Sequence, residues 1–394
     1  MEKKKFKKKI SKSKENRFYA LDSQKLSSSE LAKKSSELIK DIGFCVIDNV
    51  VPQKKIKNIR REILSANKKI YQNIQQIKKI IKNKKFTENA LLRSKKIQLR
   101  SVGVHGRPSK PPNDIIWMPE YAKYLAHNKV VSCAKNILDD QIRIAQLHPR
   151  VISTSPFKEK EIILRNDHLG LPRIDHGPAT ARDWHTDWPH DPSAYGGGNP
   201  NENIGFIRRP FPDITMCLVM VWYFNDVDDQ TGGTWVVPKS HKDPRTPRGP
   251  ADNIVLTAPI PGEMQIKAKG GSVFVQDSRL WHSAPMHNYG DQDRVAIVNR
   301  WCPWWLSVND YAQQSRFNVV CRPLSKKEFK FLPKKLKPLM KHLCPEENDT
   351  IQKPLLNKSN LAVKRTRWAY KLLKKKFNKL SYANKKIKIF EKHK

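Results

Sequence analysis

Several features that define other classes of protein are missing from this sequence. The longest uninterrupted apolar stretch spans only residues 216–224, well short of the roughly 20 residues that a helix needs to cross a bilayer. The six cysteines form no Cys-x-x-Cys pair and no disulfide-like spacing, so we expect buried free thiols in a reducing compartment. Residues 1–16 carry eight lysines with no apolar stretch behind them, unlike a secretory signal. These absences predict a soluble, cytoplasmic protein.

Acidic residues are also scarce, at 37 against 76 lysines and arginines, which gives a net charge of +39. The excess lies outside residues 161–310, which contain 18 acidic and 14 basic residues, a net charge of −4. A nucleic-acid-binding module would carry its basic residues in its folded part, so we do not expect nucleic acid as a partner. Peripheral contact of the basic tails with a membrane or another polyanion is the alternative to solvated, lysine-biased faces, which we favour.

Two residues of metal-ligating type, His185 and Asp187, lie two positions apart in an aromatic, apolar stretch. On a β-strand such residues project to the same side, about 7 Å apart. A third candidate, His282, follows a turn and a predicted strand at 270–277. Two histidines and one carboxylate on one face of a metal leave the opposite positions open, as in non-haem Fe(II) oxygenases. The sequence therefore predicts a metal site at these three residues.

A His-x-Asp tripeptide alone is a weak signal, because a chain of this composition contains about one by chance. A second tripeptide, with His241 and Asp243, lies beside Pro244 in a turn-like segment where no strand would align the two side chains. We therefore exclude it as a ligand pair. His190 and Asp191 follow a proline too closely to share the strand's face, and we assign them to groups around the site or on the surface.

Further motifs follow at residues 184–187, 221–227, 232–241 and 281–283, and Arg294 comes after them. In this order they resemble the phytanoyl-CoA dioxygenase family, over about residues 30–320. The resemblance implies a mainly β protein with flanking helices, in which a double-stranded β-helix (jelly roll, cupin-like) core is packed by N-terminal and C-terminal helices. It also implies that Fe(II) and 2-oxoglutarate bind and that O2 is used to hydroxylate an unactivated carbon of a small organic or acyl-type substrate, with release of succinate and CO2.

Residue by residue, the resemblance makes His185, Asp187 and His282 the metal ligands and the catalytic residues. A carboxylate at position 187 argues against a halogenase, which needs that ligand position free for halide. The alternative function is a non-catalytic or zinc-binding jelly roll with basic tails that bind anionic partners, because Zn(II) also accepts nitrogen and oxygen donors.

The same resemblance assigns Arg294 to the far carboxylate of 2-oxoglutarate. Arg300 is a rival, because it shares strand parity with Arg294 and the alternation of residues does not choose between them. The sequence departs from the family at Ala284, where many members have a hydroxyl residue, and in a slightly longer loop before Arg294. We favour Arg294 on the resemblance.

The chain on either side of this core predicts helices. The spacing of Ser27 and Glu30 predicts a capping box that opens a first helix, and we expect Gly43 to end it. A second helix follows Pro52, and its isoleucines recur every three, four or seven residues, which favours packing on the outside of a sheet over a coiled coil. The pattern over residues 100–160 predicts turns and short strands, one of them at 141–147.

These patterns predict the organisation of the chain. We expect a disordered basic tail at 1–16, a single dioxygenase domain at 17–345 and a basic, helical extension at 346–394. Within the domain, the helical N-terminal part spans 27–85 and the jelly-roll core about 140–310. The substrate and the oligomeric state cannot be derived from the sequence.

Overall fold

The described residues of the computed structural model are 17–82, 112–152, 154, 163–166, 172–176, 180, 182–187, 189–190, 212–243, 245, 247, 258–285, 287–306, 324 and 326–344. Contacts divide the chain into two compact units, Met1–Glu346 and Glu347–Lys394, and every described residue lies in the first. The predictions for the tail at 1–16 and the extension at 346–394 therefore fall outside the described residues.

The first helix shows how local sequence sets its own boundaries. The side chain of Ser27 accepts a hydrogen bond from Glu30 N, and the Glu30 carboxylate accepts one from Ser27 N, so the predicted capping box is confirmed. Gly43 ends the helix in the left-handed conformation, with a φ of 93°, and its N–H donates to the carbonyls of Leu38 and Ile39. The α-helices of the described part are α1 (Ser28–Ile42), α2 (Gln53–Lys82), α3 (Pro119–Leu125), α4 (Asn128–Ile137), α5 (Lys326–Phe331) and α6 (Lys337–Met340).

The described strands form three sheets. A six-stranded sheet has the order β1-β2-β9-β6-β11-β3, a three-stranded sheet has the order β10-β7-β8, and β4 pairs with β5. All pairs are antiparallel except β1 with β2. The strands are β1 (Ala20–Asp22), β2 (Phe44–Asp48), β3 (Ile142–Ile152), β4 (Ile163–Asn166), β5 (Pro172–His176), β6 (Leu218–Tyr223), β7 (Trp235–Val236), β8 (Met264–Gln265), β9 (Val273–Asp277), β10 (His282–Ser283) and β11 (Arg294–Pro303).

The six-stranded sheet is buried on both faces, and alternation assigns each residue to one of them. On the outer face, Val295, Ile297 and Trp301 of β11 belong to a large apolar cluster that includes residues of α1 to α4 and of α5 and α6. On the inner face, Ala296 packs in a second cluster with Val236 of β7 in the three-stranded sheet. Two sheets enclosing one cluster, with helices on the outside, form the predicted mainly β, double-stranded β-helix with flanking helices.

The second helix and the C-terminal helices cover the outer face, as predicted. Ile59 and Ile63 of α2 are buried in the outer cluster, so the isoleucine stripe serves packing on the sheet where its side chains are described. Phe329 and Leu339, from α5 and α6, are buried in the same cluster. No helix in the described part of the chain combines the length and the apolar character that a membrane span requires.

The prediction of turns and short strands for residues 100–160 is wrong over 112–137. This stretch contains α3, α4 and a 3-10 helix, Pro112–Trp117, before β3 begins. Isolated helices of this length are marginal in water, and the valines of α4 lower its intrinsic helix propensity. The helix is stabilised by tertiary packing, because Val130, Cys133 and Ala134 are buried in the outer cluster.

Candidate metal centre

The segment that carries His185 and Asp187 is extended, but the predicted strand is reduced to a single β-bridge. His185 pairs with His282, and each donates its backbone N–H to the other's carbonyl at 3.0 Å. His282 belongs to β10, which is only two residues long, so no longer ladder forms with the segment of His185. The bridge places the two histidines side by side, with ring centroids 4.2 Å apart.

Both histidines present the same nitrogen to the site. Nδ1 of His185 lies 2.7 Å from the carbonyl oxygen of Asp183, and Nδ1 of His282 lies 3.0 Å from that of Leu280. A carbonyl oxygen only accepts, so each Nδ1 must carry the proton, which leaves Nε2 as a lone-pair donor. Carbonyl partners of this kind fix the ring orientation of metal-binding histidines.

Asp187 completes the cluster. Its Oδ2 lies 3.2 Å from Nε2 of His282, and one ligand atom from each of the three residues falls within 4.8 Å of the others. Burial alone would raise the pKa of Asp187, but the Arg300 guanidinium beside it outweighs burial and holds that pKa well below its usual value. The carboxylate is therefore ionised at neutral pH, as a ligand must be.

The donor set fits a first-row divalent metal. Two neutral imidazole nitrogens and one carboxylate oxygen converge, and they constitute the only group of three or more potential ligands among the described residues. Nitrogen and oxygen donors in this two-to-one ratio suit Fe(II). The site is largely withdrawn from water, since Asp187 and His282 are each 6% exposed.

The two candidate arginines lie on one face of β11 but in different surroundings. Arg294 is buried and donates to the carbonyl of Gly232. Arg300 is also buried and donates from Nη2 to Oδ1 of Asp187. Gly232 has a φ of 77°, and a Cβ there would lie 2.4 Å from the carbonyl oxygen of His287, so glycine is required beside Arg294.

A hydroxyl pair near Arg294 escaped the sequence analysis. Tyr223 Oη and Thr234 Oγ1 are 2.8 Å apart, and both residues are buried. Burial raises the pKa of Tyr223, and the nearby charge of Arg294 opposes that rise. The inward parity of Tyr223 on β6 was a signal that could have found it, whereas the position of Thr234 beside it depends on the tertiary fold.

The histidines that were excluded as ligands, His241 and His190, have hydrogen-bond partners outside the ligand cluster. His241 is buried, and its Nε2 donates to the Lys40 carbonyl near the C-terminus of α1, while Asp243 pairs with Arg245. His190 is buried rather than on the surface, and its Nδ1 lies 3.0 Å from Ser278 Oγ. Asp191 lies outside the described residues.

A family model described as phytanoyl-CoA dioxygenase (PhyH) matches residues 39–296, well over half of the chain. No curated protein matches the sequence significantly.

Similarity to solved structures is more distant. HygX from Streptomyces hygroscopicus, solved with nickel and 2-oxoglutarate bound, is 12% identical with a TM-score of 0.40, over 69% of this chain and 87% of HygX. SnoN, an alpha-ketoglutarate-dependent epimerase from nogalamycin biosynthesis, is 11% identical with a TM-score of 0.38, over 69% and 83%. AviO1 from Streptomyces viridochromogenes Tue57 is 16% identical with a TM-score of 0.37, over 70% and 96%. These scores are too low to carry an argument about function.

Proposed function

The chain belongs to the phytanoyl-CoA dioxygenase family, and from that premise we propose that it hydroxylates an unactivated carbon of a small organic or acyl-type substrate. The family assigns it to the 2-oxoglutarate-dependent non-haem iron oxygenases, with Fe(II), 2-oxoglutarate and O2 as cofactor and co-substrates. Bound Fe(II) supplies the oxidising chemistry, in which 2-oxoglutarate is converted to succinate and CO2 while one oxygen atom enters the substrate.

The observation that carries this proposal is the convergence of His185, Asp187 and His282. Nδ1 of each imidazole is engaged with a backbone carbonyl, so that Nε2 and an ionised carboxylate remain for the metal. A structural zinc site usually has four protein ligands. Three ligands leave positions for 2-oxoglutarate and O2, which fits a catalytic centre.

Arg294 is the residue that we propose for the far carboxylate of 2-oxoglutarate. Its rival Arg300 donates to Asp187, one of the proposed ligands. Arg300 is therefore too close to the metal position to bind the distal end of the co-substrate. Arg294 lies in the barrel interior beside the Tyr223 and Thr234 hydroxyls. These hydroxyls are suitable donors to the same carboxylate, and they would supply the function that Ala284 cannot.

The interior of the barrel also suits this chemistry. Phe274 and Val221 belong to the buried inner cluster, so apolar side chains line part of the space between the sheets. Exclusion of water strengthens the electrostatic contacts of Arg294 with an anionic co-substrate and prevents side reactions.

The decisive experiment is an assay of iron and co-substrate in the purified chain. It should bind one Fe(II), and anaerobic addition of 2-oxoglutarate should produce a weak visible charge-transfer band. On exposure to O2, succinate should form slowly without the organic substrate and faster when the correct substrate is present. Screening small acids, acyl thioesters and amino-acid derivatives for stimulated succinate formation would identify the substrate class. An iron-loaded protein that never consumes 2-oxoglutarate, or tight Zn(II) binding without Fe(II) binding, would refute the proposal.

A further inference from the structure

We propose that Arg300 is a positioning residue of the metal centre, which holds one oxygen of Asp187 so that only the other oxygen faces the metal. This inference rests on the proposed function, because it takes His185, Asp187 and His282 as the metal ligands. It adds a residue that touches none of the reacting atoms and acts through Asp187.

The backbone of Asp187 is already fixed from both sides. Its N–H donates to the carbonyl of Ser278 at 2.7 Å, and its own carbonyl accepts from His190 N at 2.8 Å. These contacts determine where the Cβ of Asp187 lies. They leave rotation of the carboxylate about the Cβ–Cγ bond, which is a broad torsion in aspartate. A further contact is needed to decide which oxygen points to the metal position.

Arg300 makes that contact. Its Nη2 donates to Oδ1 of Asp187, while Oδ2 lies 3.2 Å from Nε2 of His282, where the ligand atoms converge. The two oxygens are thus distinguished, one for the guanidinium and one for the metal. A carboxylate held in this way would bind a metal through one oxygen only. The position that its other oxygen would otherwise occupy remains for an exogenous ligand.

The strand that carries Arg300 is suited to this role. β11 is hydrogen-bonded to neighbours on both sides, and Arg300 is paired with Val219 of β6 and Gln146 of β3. On the same face, Cys217 and Cys302 form a small buried cluster. Burial raises the pKa of the Cys217 thiol, and the nearby charge of Arg300 lowers it while that of Asp187 raises it. A charged group on a central, buried strand is held more precisely than one on a loop.

Two opposing effects of Arg300 on metal affinity must be weighed. Its positive charge repels a divalent cation, whereas its hydrogen bond fixes the carboxylate that binds the cation. The guanidinium charge is compensated by the Asp187 carboxylate, and both side chains are buried. Loss of an outer partner of a ligand typically lowers metal affinity by about 10- to 100-fold, so we expect positioning to outweigh repulsion.

The test uses Co(II) as a spectroscopic probe in the full chain with Arg300→Met and Arg300→Lys. The Met variant should bind Co(II) about 10- to 100-fold more weakly, because Asp187 loses the partner that orients it. Its visible band per bound ion should also be weaker, because the released carboxylate can chelate through both oxygens and so raise the coordination number. The Lys variant keeps the charge but not the planar fork, so its affinity should lie between the two. Arg60→Met is the control, because Arg60 lies on α2 and donates to Gln292 Oε1 and to the Asp293 carbonyl; its Co(II) affinity and band should equal those of the wild type.

Three results would overturn the inference. Equal or tighter Co(II) binding by the Met variant would mean that repulsion dominates or that the arginine serves only the fold. If the Met variant does not fold, wild-type affinity and band in the Lys variant would mean that the charge alone is needed. An unchanged band despite weaker binding would remove the role in orientation. Failure of the wild type to bind Co(II) or Fe(II) would instead refute the proposed function, which separates the two claims.

Discussion

The outer and inner faces of the six-stranded sheet are built from the same strands, yet they carry different chemistry. On β11 the outward residues Val295, Ile297 and Trp301 pack against helices. The inward residues of the same strand include two buried cations, Arg294 and Arg300. Even the polar outward residue Asn299 is neutral, and its amide donates to Tyr121 Oη at 2.9 Å.

The difference shows which face serves stability and which serves function. Burying an ion costs several kcal/mol unless partners compensate it, whereas burying apolar side chains stabilises the fold. On β11 the outward side follows the stabilising pattern. The inward side of the same strand departs from it at Arg294 and Arg300, beside the proposed co-substrate and metal sites. Substitutions on the two faces should therefore separate activity from stability.

The largest effect should come from the ligands on the inner side. Replacing His185, Asp187 or His282 singly by Ala should abolish Fe(II)-dependent conversion of 2-oxoglutarate to succinate, because each removes one of three metal ligands. The matched control is His241→Ala, which alters a buried histidine of a second His-x-Asp tripeptide. Its folded fraction should retain turnover. Loss of turnover in properly folded His241→Ala, or its persistence in a ligand variant, would contradict the site.

The outer face should show the reverse behaviour. Trp222 is fully buried against Tyr121, with ring centroids 5.5 Å apart. Trp222→Ala should lower the free energy of unfolding by about 3–5 kcal/mol, measured by denaturant titration, because a large cavity forms. Trp222→Phe, a milder change, should keep Fe(II) and 2-oxoglutarate affinities at wild-type values. A change in those affinities without a change in stability would break the division between the faces.

A substitution of Arg294 tests the proposed binding site for the far carboxylate of 2-oxoglutarate. Replacing it with Leu removes a charge-assisted pair worth about 1.5–3 kcal/mol, so 2-oxoglutarate affinity should fall by about one to two orders of magnitude. Fe(II) content should not change. Isothermal titration of the iron-loaded protein with 2-oxoglutarate measures the effect. Unchanged affinity in this variant, together with a loss in Arg300→Leu, would transfer the role to the rival arginine.

A smaller effect is expected in the pH dependence of stability that arises from His241, which contacts the C-terminal turn of α1. Burial lowers its pKa, and among the charges that act on it Asp277 opposes this shift while Arg279 and Lys242 reinforce it. The unfolded chain therefore binds the proton more readily, so stability from this group is present above about pH 6.5 and is lost as pH falls. Its contribution to the slope should be at most about 1.4 kcal/mol per pH unit.

This contribution can be isolated by comparison with His241→Gln, whose unfolding free energy should depend less on pH between 6.5 and 5. Chemical denaturation at several pH values measures both slopes. Identical slopes in the two proteins would show that the buried imidazole does not titrate with folding.

The smallest effect is expected from the tails. Residues 161–310 have a net charge of −4 and carry every proposed ligand, so deleting 1–16 and 361–394 should leave Fe(II) and 2-oxoglutarate binding unchanged. A truncated protein that folds but loses both would contradict this. If the tails bind polyanions, that affinity should fall steeply with salt and disappear on truncation.

The sequence by itself was sufficient for features that depend on local rules or on a short motif. The capping box at Ser27 and the left-handed Gly43 follow from hydrogen bonding and backbone sterics within one turn of chain. The convergence of His185, Asp187 and His282 was predicted from motif order, and the structure brings the three together although their strand is only a bridge.

Only the tertiary structure decided features that depend on what lies opposite a residue. Strand parity places Arg294 and Arg300 on one face, and their different surroundings arise from other elements, Gly232 for one and Asp187 for the other. Likewise, α4 forms because its apolar side is buried in the outer cluster, against its modest intrinsic propensity. Periodicity fixes the direction of a side chain, but its partner, and therefore its energy and role, comes from a distant part of the chain.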